Sequence, residues 1–489
     1  MKVQVLILST CLALLPLRAT AAAPAQSAAA PASRGAAPAA PSVAVTVYNG
    51  DFGVVRERRM MSVAKDGTVQ FSDVAAKIDP TTVQFRSLTD PNAKLLEQNF
   101  QYDLVSADKL LQKYLDRSIE IFAGGSTYRG TLQSFDKDEL VLMTESALRV
   151  IRRPENVRDI RLVSLPEGLL TRPTLVWQVA TDQPGDQLAE VVYQTAGINW
   201  HAEYGLVMGA NDTSADLSGW VSVDNRSGKT YQNAHLKFIA GEVRKVQPRE
   251  MAYNMRAAGV AGFGAPPMEE KPFFEYHMYT LPRPSTVADN ETKQLEMFTP
   301  ARGIAVAKRY LYNPLGRSQI GEGGLYTDQS YGAQNVSDKV NIYIEFKNSQ
   351  ENHLGIPLPA GKVRVYKQDA ADEALEFVGE EQIDHKPKDE ELSLEVGNAF
   401  DLVGQRRQTD FSVETGRKMM HESVEIKVRN HKDQDVVVRV KEPLYRWMTW
   451  QITQESAKHL KVDARTAAWD LPVKANGEAV LTYTVEYSW

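Results

Sequence analysis

The sequence predicts an all-β, multidomain assembly of antiparallel β-sandwiches with a small β-barrel inserted into it. Three observations predict this. One pattern occurs three times: an alternating apolar strand, an Asn, a short polar turn and a second alternating strand. Five short strands crowd into residues 119–163, and helical periodicity is scarce elsewhere.

The three copies are Trp220-Val221-Ser222-Val223-Asp224-Asn225, Ile342-Tyr343-Ile344-Glu345-Phe346-Lys347-Asn348 and Val424-Glu425-Ile426-Lys427-Val428-Arg429-Asn430. Apolar residues stand two and four positions before each Asn, on one face of a strand whose side chains alternate with period two. Asn suits a strand end because its amide reaches the backbone and it tolerates the left-handed conformation. Alternation resumes at Leu236 and Phe238, at Val363 and Val365, and at Val436, Val438 and Val440. The interval from Asn225 to Asn348 is longer than that from Asn348 to Asn430. The copies therefore read as recurring strand grammar and not as a tandem array.

Residues 1–23 read as a secretory signal, with Lys2 followed by an apolar stretch from Val3 to Leu17 and small residues at Ala19-Thr20-Ala21-Ala22-Ala23. The stretch is short for a membrane helix, so no integral span is expected in the mature chain. Cys11, the single cysteine, lies inside it. Cleavage would leave a mature chain with no disulfide, thiolate metal site or Cys nucleophile. Export to the periplasm or cell surface follows as the expectation. Residues 24–42 are an Ala/Pro-rich linker with nothing to pack.

Sandwich strands are expected over 43–104, with Asn49-Gly50 and Asp66-Gly67 as hairpin turns. In the 105–165 segment, Ser106 caps a short helix carrying Leu110, Leu111, Tyr114 and Leu115. Strands follow at Ile119–Phe122, Tyr128–Phe135, Leu140–Met143, Leu148–Ile151 and Val157–Val163. A helix and five bent strands at this spacing resemble SH3-like and Sm-like barrels, whose closure removes exposed edges. The sandwich resumes over 166–246. Residues 247–271, rich in Met, Gly and Pro, read as a mobile loop. The remaining C-terminal sandwich region is 272–489, with Val287-Ala288-Asp289-Asn290-Glu291 as a hairpin turn.

Several long segments carry a resemblance: Glu275-Tyr276-His277-Met278-Tyr279-Thr280-Leu281-Pro282-Arg283-Pro284, Leu354-Gly355-Ile356-Pro357-Leu358-Pro359-Ala360-Gly361 and Asp384-His385-Lys386-Pro387-Lys388-Asp389-Glu390. Over about residues 190–489 the chain resembles an exported bacterial family defined by a C-terminal domain of unknown function 4139. That domain also ends mucoidy-inhibitor-A-like proteins, whose coiled-coil segment has no counterpart here. The resemblance implies export and β-sandwich structure, with no agreed activity or site residues.

Candidate chemistry is sparse. A net charge of −6 over 489 residues gives no basic footprint for nucleic acid. No HExxH or H-x-H pair suggests a metal, and neither Gly259-Val260-Ala261-Gly262-Phe263-Gly264 nor Gly321-Glu322-Gly323-Gly324 joins a strand to a helix N-terminus, so no cofactor is expected. His385 beside Asp389 is the one pairing that suggests a hydrolase site. Trp447 and Trp450, in a cluster with Trp469 and Trp489, are candidate platforms for a glycan or peptide. The last strand, Leu481 to Trp489, alternates apolar and polar residues as outer-membrane β-barrel strands do. The reading favoured by the sequence is an exported non-catalytic envelope protein, a scaffold contacting a protein or glycan. A hydrolase near His385/Asp389 and an outer-membrane β-barrel are its alternatives.

Overall fold

The computed structural model describes residues 41–101, 107–163, 172–241, 243, 268–316, 324–332, 336–369 and 371–489. The expected leader, most of the linker, the Ser106 cap and positions 247–267 of the expected loop lie outside the described residues. Apart from helices Ala107–Lys113 and Arg153–Asn156 and two single 3-10 turns, every regular element described is a strand. These strands form sheets of eight, five, three, five and nine members.

The three Asn copies mark one repeated topological unit. In each, a strand ends at the Asn: Ser214–Asn225, Lys339–Lys347 followed by Asn348, and Met419–Asn430. The chain then crosses to a second strand, Tyr231–Ala240, Gly361–Gln368 or Val436–Pro443. That second strand runs parallel to Ser42–Tyr48, Ile198–Met208 or Ala307–Tyr312 respectively. A later strand returns antiparallel to the first, beginning opposite its end: Asn225 faces Glu291, Lys347 faces Glu391 and Asn430 faces Gly477. The expected all-β, multidomain and largely antiparallel architecture is present, and these three parallel pairings make its sheets mixed. Period-two alternation defines which face is buried but not strand direction.

All three Asn side chains are buried and act as clamps. The Asn225 amide donates to the carbonyls of Lys229 and Ala288 at 2.8 and 2.9 Å, and its oxygen accepts from Ser227. Asn348 donates to Ile356 and Pro387 at 2.7 and 2.9 Å and accepts from Gly355 N–H at 3.0 Å. Asn430 donates to Gln434 and Lys474 at 2.9 and 3.0 Å and accepts from Lys432 N–H at 3.0 Å. Each clamp fastens its own turn to the stretch just before the returning strand. An amide is required, because one side chain must satisfy carbonyls and an N–H together. None of the three has a positive φ, so the left-handed tolerance expected of Asn is unused.

The same clamp explains a correction at Val287–Glu291. Ser285–Val287 pairs with Tyr231–Ala240 while Glu291–Ala305 pairs with Ser214–Asn225, so the chain turns a corner between sheets and makes no hairpin there. The hairpin instead joins Glu269–Phe273 to Tyr276–Thr280, with Phe274 at φ +58°. Residues 269–271, expected in the loop, belong to its first strand.

The insert forms Ser118–Ala123, Ser126–Phe135, Glu139–Met143, Leu148–Arg152 and Val157–Arg161 around a separate core with Leu111, Tyr114, Ile121 and Leu142. Gly124 and Gly125 make its first turn with φ +56° and +81°. Val157–Arg161 and Leu148–Arg152 stand at opposite ends of the five-stranded sheet, and no ladder between them closes it into the expected barrel. The residues joining them form a helical turn with Pro at its start, which cannot provide a hairpin register.

Candidate functional site

The outer face of the nine-stranded sheet carries a groove of about 800 Å³. Its floor crosses Lys339–Lys347, Ala307–Tyr312, Val436–Pro443 and Thr466–Val473, and the turn at 211–213 forms a rim. Alternation decides what faces it: Val438, Val440 and Glu442 point into the core, so Val437, Arg439 and Lys441 point into the groove. Arg439 grips Asp470 with two hydrogen bonds of 2.7 and 2.8 Å. Arg309 pairs with Glu345 at 3.4 Å, and Ser393 donates to the other oxygen of that carboxylate. At the rim, Lys308 and Lys367 both bind Asp212.

These pairs alternate donors and acceptors across the floor. The Arg439 hydrogen bonds hold Asp470 below the usual carboxylate range. Burial pushes Asp212 up, but hydrogen bonds from Lys308 and Lys367 and their charges outweigh it, and its pKa is lowered. Ala307, Leu311, Val437, Val462 and Ala468 give the groove apolar ground between the charges. The arrangement offers neutral-balanced polar recognition over a half-apolar floor. Such a surface suits a ligand whose groups donate and accept at once.

Behind the sheet lies a buried ionic centre. Arg446 and Glu422 are 0% and 1% exposed in side chain and meet at 3.0 Å. Arg406 and Glu442 form a second pair at 3.0 Å, and Tyr483 donates to Glu442 at 2.7 Å. Burial raises the Glu442 pKa against the opposing pull of Arg406 and Tyr483. Arg446 also donates to the carbonyls of Tyr326, Asp328 and Tyr331 at 3.1, 2.8 and 3.1 Å. It thereby straps the 324–332 segment to the sandwich. Gly332, at φ +75°, lies so close to the Tyr445 ring and hydroxyl that a Cβ would overlap them.

The residues singled out in the sequence are dispersed. His385 Nδ1 accepts from Ala360 N–H at 3.0 Å, whereas Asp389 occupies a turn at φ +67° whose N–H donates to the Asn348 carbonyl. Asp389 lines a small cavity of about 350 Å³ with Lys347, Ser349 and Lys388; His385 does not line it. Trp447 and Trp450 pack partly buried against the C-terminal core. Trp450 donates to Ala464 at 2.8 Å and carries Lys461 Nζ 4.9 Å from its ring. Neither Trp lines the groove. Leu481, Tyr483, Val485 and Tyr487 of the last strand are buried in the same core, facing protein where a membrane barrel would face lipid.

Sequence reasoning missed the groove and the ionic centre. The groove joins strands distant in sequence and leaves no local signal. The centre did leave one: Glu422 continues the buried register of Val424, Ile426 and Val428, and Glu442 that of Val436, Val438 and Val440.

Among the described residues no group of three or more His, Cys, Asp or Glu could hold a metal ion, and no helix is long and apolar enough to cross a membrane. No curated protein and no solved structure matches the chain. Residues 189–489, more than half of the chain, match the model of a domain of unknown function, DUF4139. The match starts within the Gly185–Ala196 strand and takes in all three Asn clamps, the groove and the ionic centre. The chain belongs to the DUF4139 family.

Proposed function

We propose that the protein is an exported, non-catalytic envelope protein that binds a neutral glycan in the groove on the nine-stranded sheet. The observation carrying this reading is the ladder of Arg309 with Glu345 and Arg439 with Asp470 on a partly apolar floor. A sugar hydroxyl donates to a carboxylate while accepting from a guanidinium, so alternating groups serve it without a net charge. A polyanion would meet Glu345, Asp470, Asp435 and Asp212, and a polycation would meet the arginines. The volume is that of an ordinary ligand site. Export rests on the apolar leader at residues 1–23. The 105–165 insert we read as an SH3-like or Sm-like module, supported by its leading helix, its own core and the order of its strands.

Fractionation should recover the mature chain outside the cytosol. Immobilised envelope glycan should retain it, and Asp470→Ala should weaken retention by about tenfold. A cytosolic mature form, or retention unaffected by Asp470→Ala, would defeat the reading.

A further inference from the structure

We propose that a second copy of the chain docks by strand addition, the free edge Leu148–Arg152 of one protomer pairing with the free edge Leu375–Ile383 of the next. Strand addition at these edges is independent of glycan binding in the groove. Both strands end their sheets among the described residues, so their outer backbone groups join no further ladder, although Glu391–Glu414 packs over Leu375–Ile383 where Val396 meets Gly379. Both edges are also apolar where edges are ordinarily polar. Leu148 and Val150 are 56% and 57% exposed, and Leu375 and Phe377 are 55% and 57% exposed.

Charge selects the pairing. Leu148–Arg152 carries Arg149 and Arg152 and no acid, while Leu375–Ile383 carries Glu376, Glu380 and Glu381 and no base. Some of these charges have internal partners: Arg152 lies 3.8 Å from Glu155, and Glu380 lies 3.0 Å from Lys362. Two copies of either edge side by side would set like charges opposite each other, which is destabilising in a ladder. Only the basic edge against the acidic edge brings opposite charges together, with Leu and Val set beside Leu and Phe. Backbone bonds supply affinity in such strand addition, and side chains supply selectivity. Because the two surfaces differ, the contact is head-to-tail and builds a ring or a chain of protomers.

The test is sedimentation equilibrium of the mature full-length protein over a wide concentration range, at low and high salt. Mass should rise with concentration and fall back with salt. Arg149→Glu with Arg152→Glu, and separately Glu376→Lys with Glu381→Lys, should each lower association by about tenfold or more. Mixing the two variants should restore it, since the reversed edges are again complementary. Circular dichroism of each variant checks the fold. A monomer at every concentration, reversals without effect, or a mixture that fails to reassociate would each overturn the proposal. Mass is read without glycan, so this inference and the groove can fail separately.

Discussion

Asn430 offers the sharpest test of how the frame is held. Its side chain makes three well-formed hydrogen bonds, at 2.9 Å to Gln434, 3.0 Å to Lys474 and 3.0 Å from Lys432 N–H, at a position 1% exposed. At about 1 kcal/mol net for each bond, Asn430→Ala should cost about 3 kcal/mol. With a urea slope of about 3 kcal/mol/M, the unfolding midpoint should fall by about 1 M. Asn430→Asp should be worse at neutral pH. It keeps the acceptor for Lys432 but turns a buried carboxylate toward two carbonyls, a cost of several kcal/mol. Its folded-state pKa would be raised, so its stability should decline as pH climbs from the unfolded carboxylate value of about 4 through that raised pKa. Tryptophan fluorescence is the assay, since Trp447, Trp450, Trp469 and Trp489 all belong to or pack against this core. An Asp variant as stable as the Ala variant at neutral pH, or an Ala cost below about 0.5 kcal/mol, would refute the clamp.

Arg446→Met should destabilise by about 3–5 kcal/mol because it strands Glu422 in the core, and adding Glu422→Leu should recover much of the loss; the pair of denaturation curves checks this. The same single variant should speed proteolysis within 324–332, whose carbonyls Arg446 holds. Gly332→Ala should loosen that segment too, by driving a methyl into Tyr445 and straining a positive-φ position, and limited proteolysis again reads it. Asp470 and Asp212 have lowered pKa values, so their ion pairs persist above the unfolded carboxylate value and are lost as pH falls through the folded ones. Glycan retention should therefore be flat above about pH 4 and decline below it.

What the sequence made legible was local. Alternation placed each strand of the insert to within a few residues, and it placed Leu481, Tyr483, Val485 and Tyr487 on one face. The Asn residues were recognisable because a polar amide closing an apolar strand needs backbone partners. Which backbone groups they meet depends on chain segments as remote as Lys474 is from Asn430, and alternation does not encode that. Parallel pairing of Ala307–Tyr312 with Val436–Pro443 was hidden for the same reason, and with it the groove floor those two strands create. His385 and Asp389 drew notice through proximity in sequence, yet their bonds run to Ala360 and Asn348. The buried charges were visible in register but not in consequence, because a Glu on an apolar face is tolerated only when the fold brings it an Arg.

In the function proposed above, the Arg309–Glu345 and Arg439–Asp470 ladder recognises a neutral glycan. Its most direct measurement is calorimetric titration of neutral envelope oligosaccharides into the wild-type protein and into Arg439→Ala. Saturable binding to the wild type is expected, weakened about tenfold or more in the variant while the fold is retained. Equal affinity in the two proteins, or heat only with charged oligomers, would contradict it.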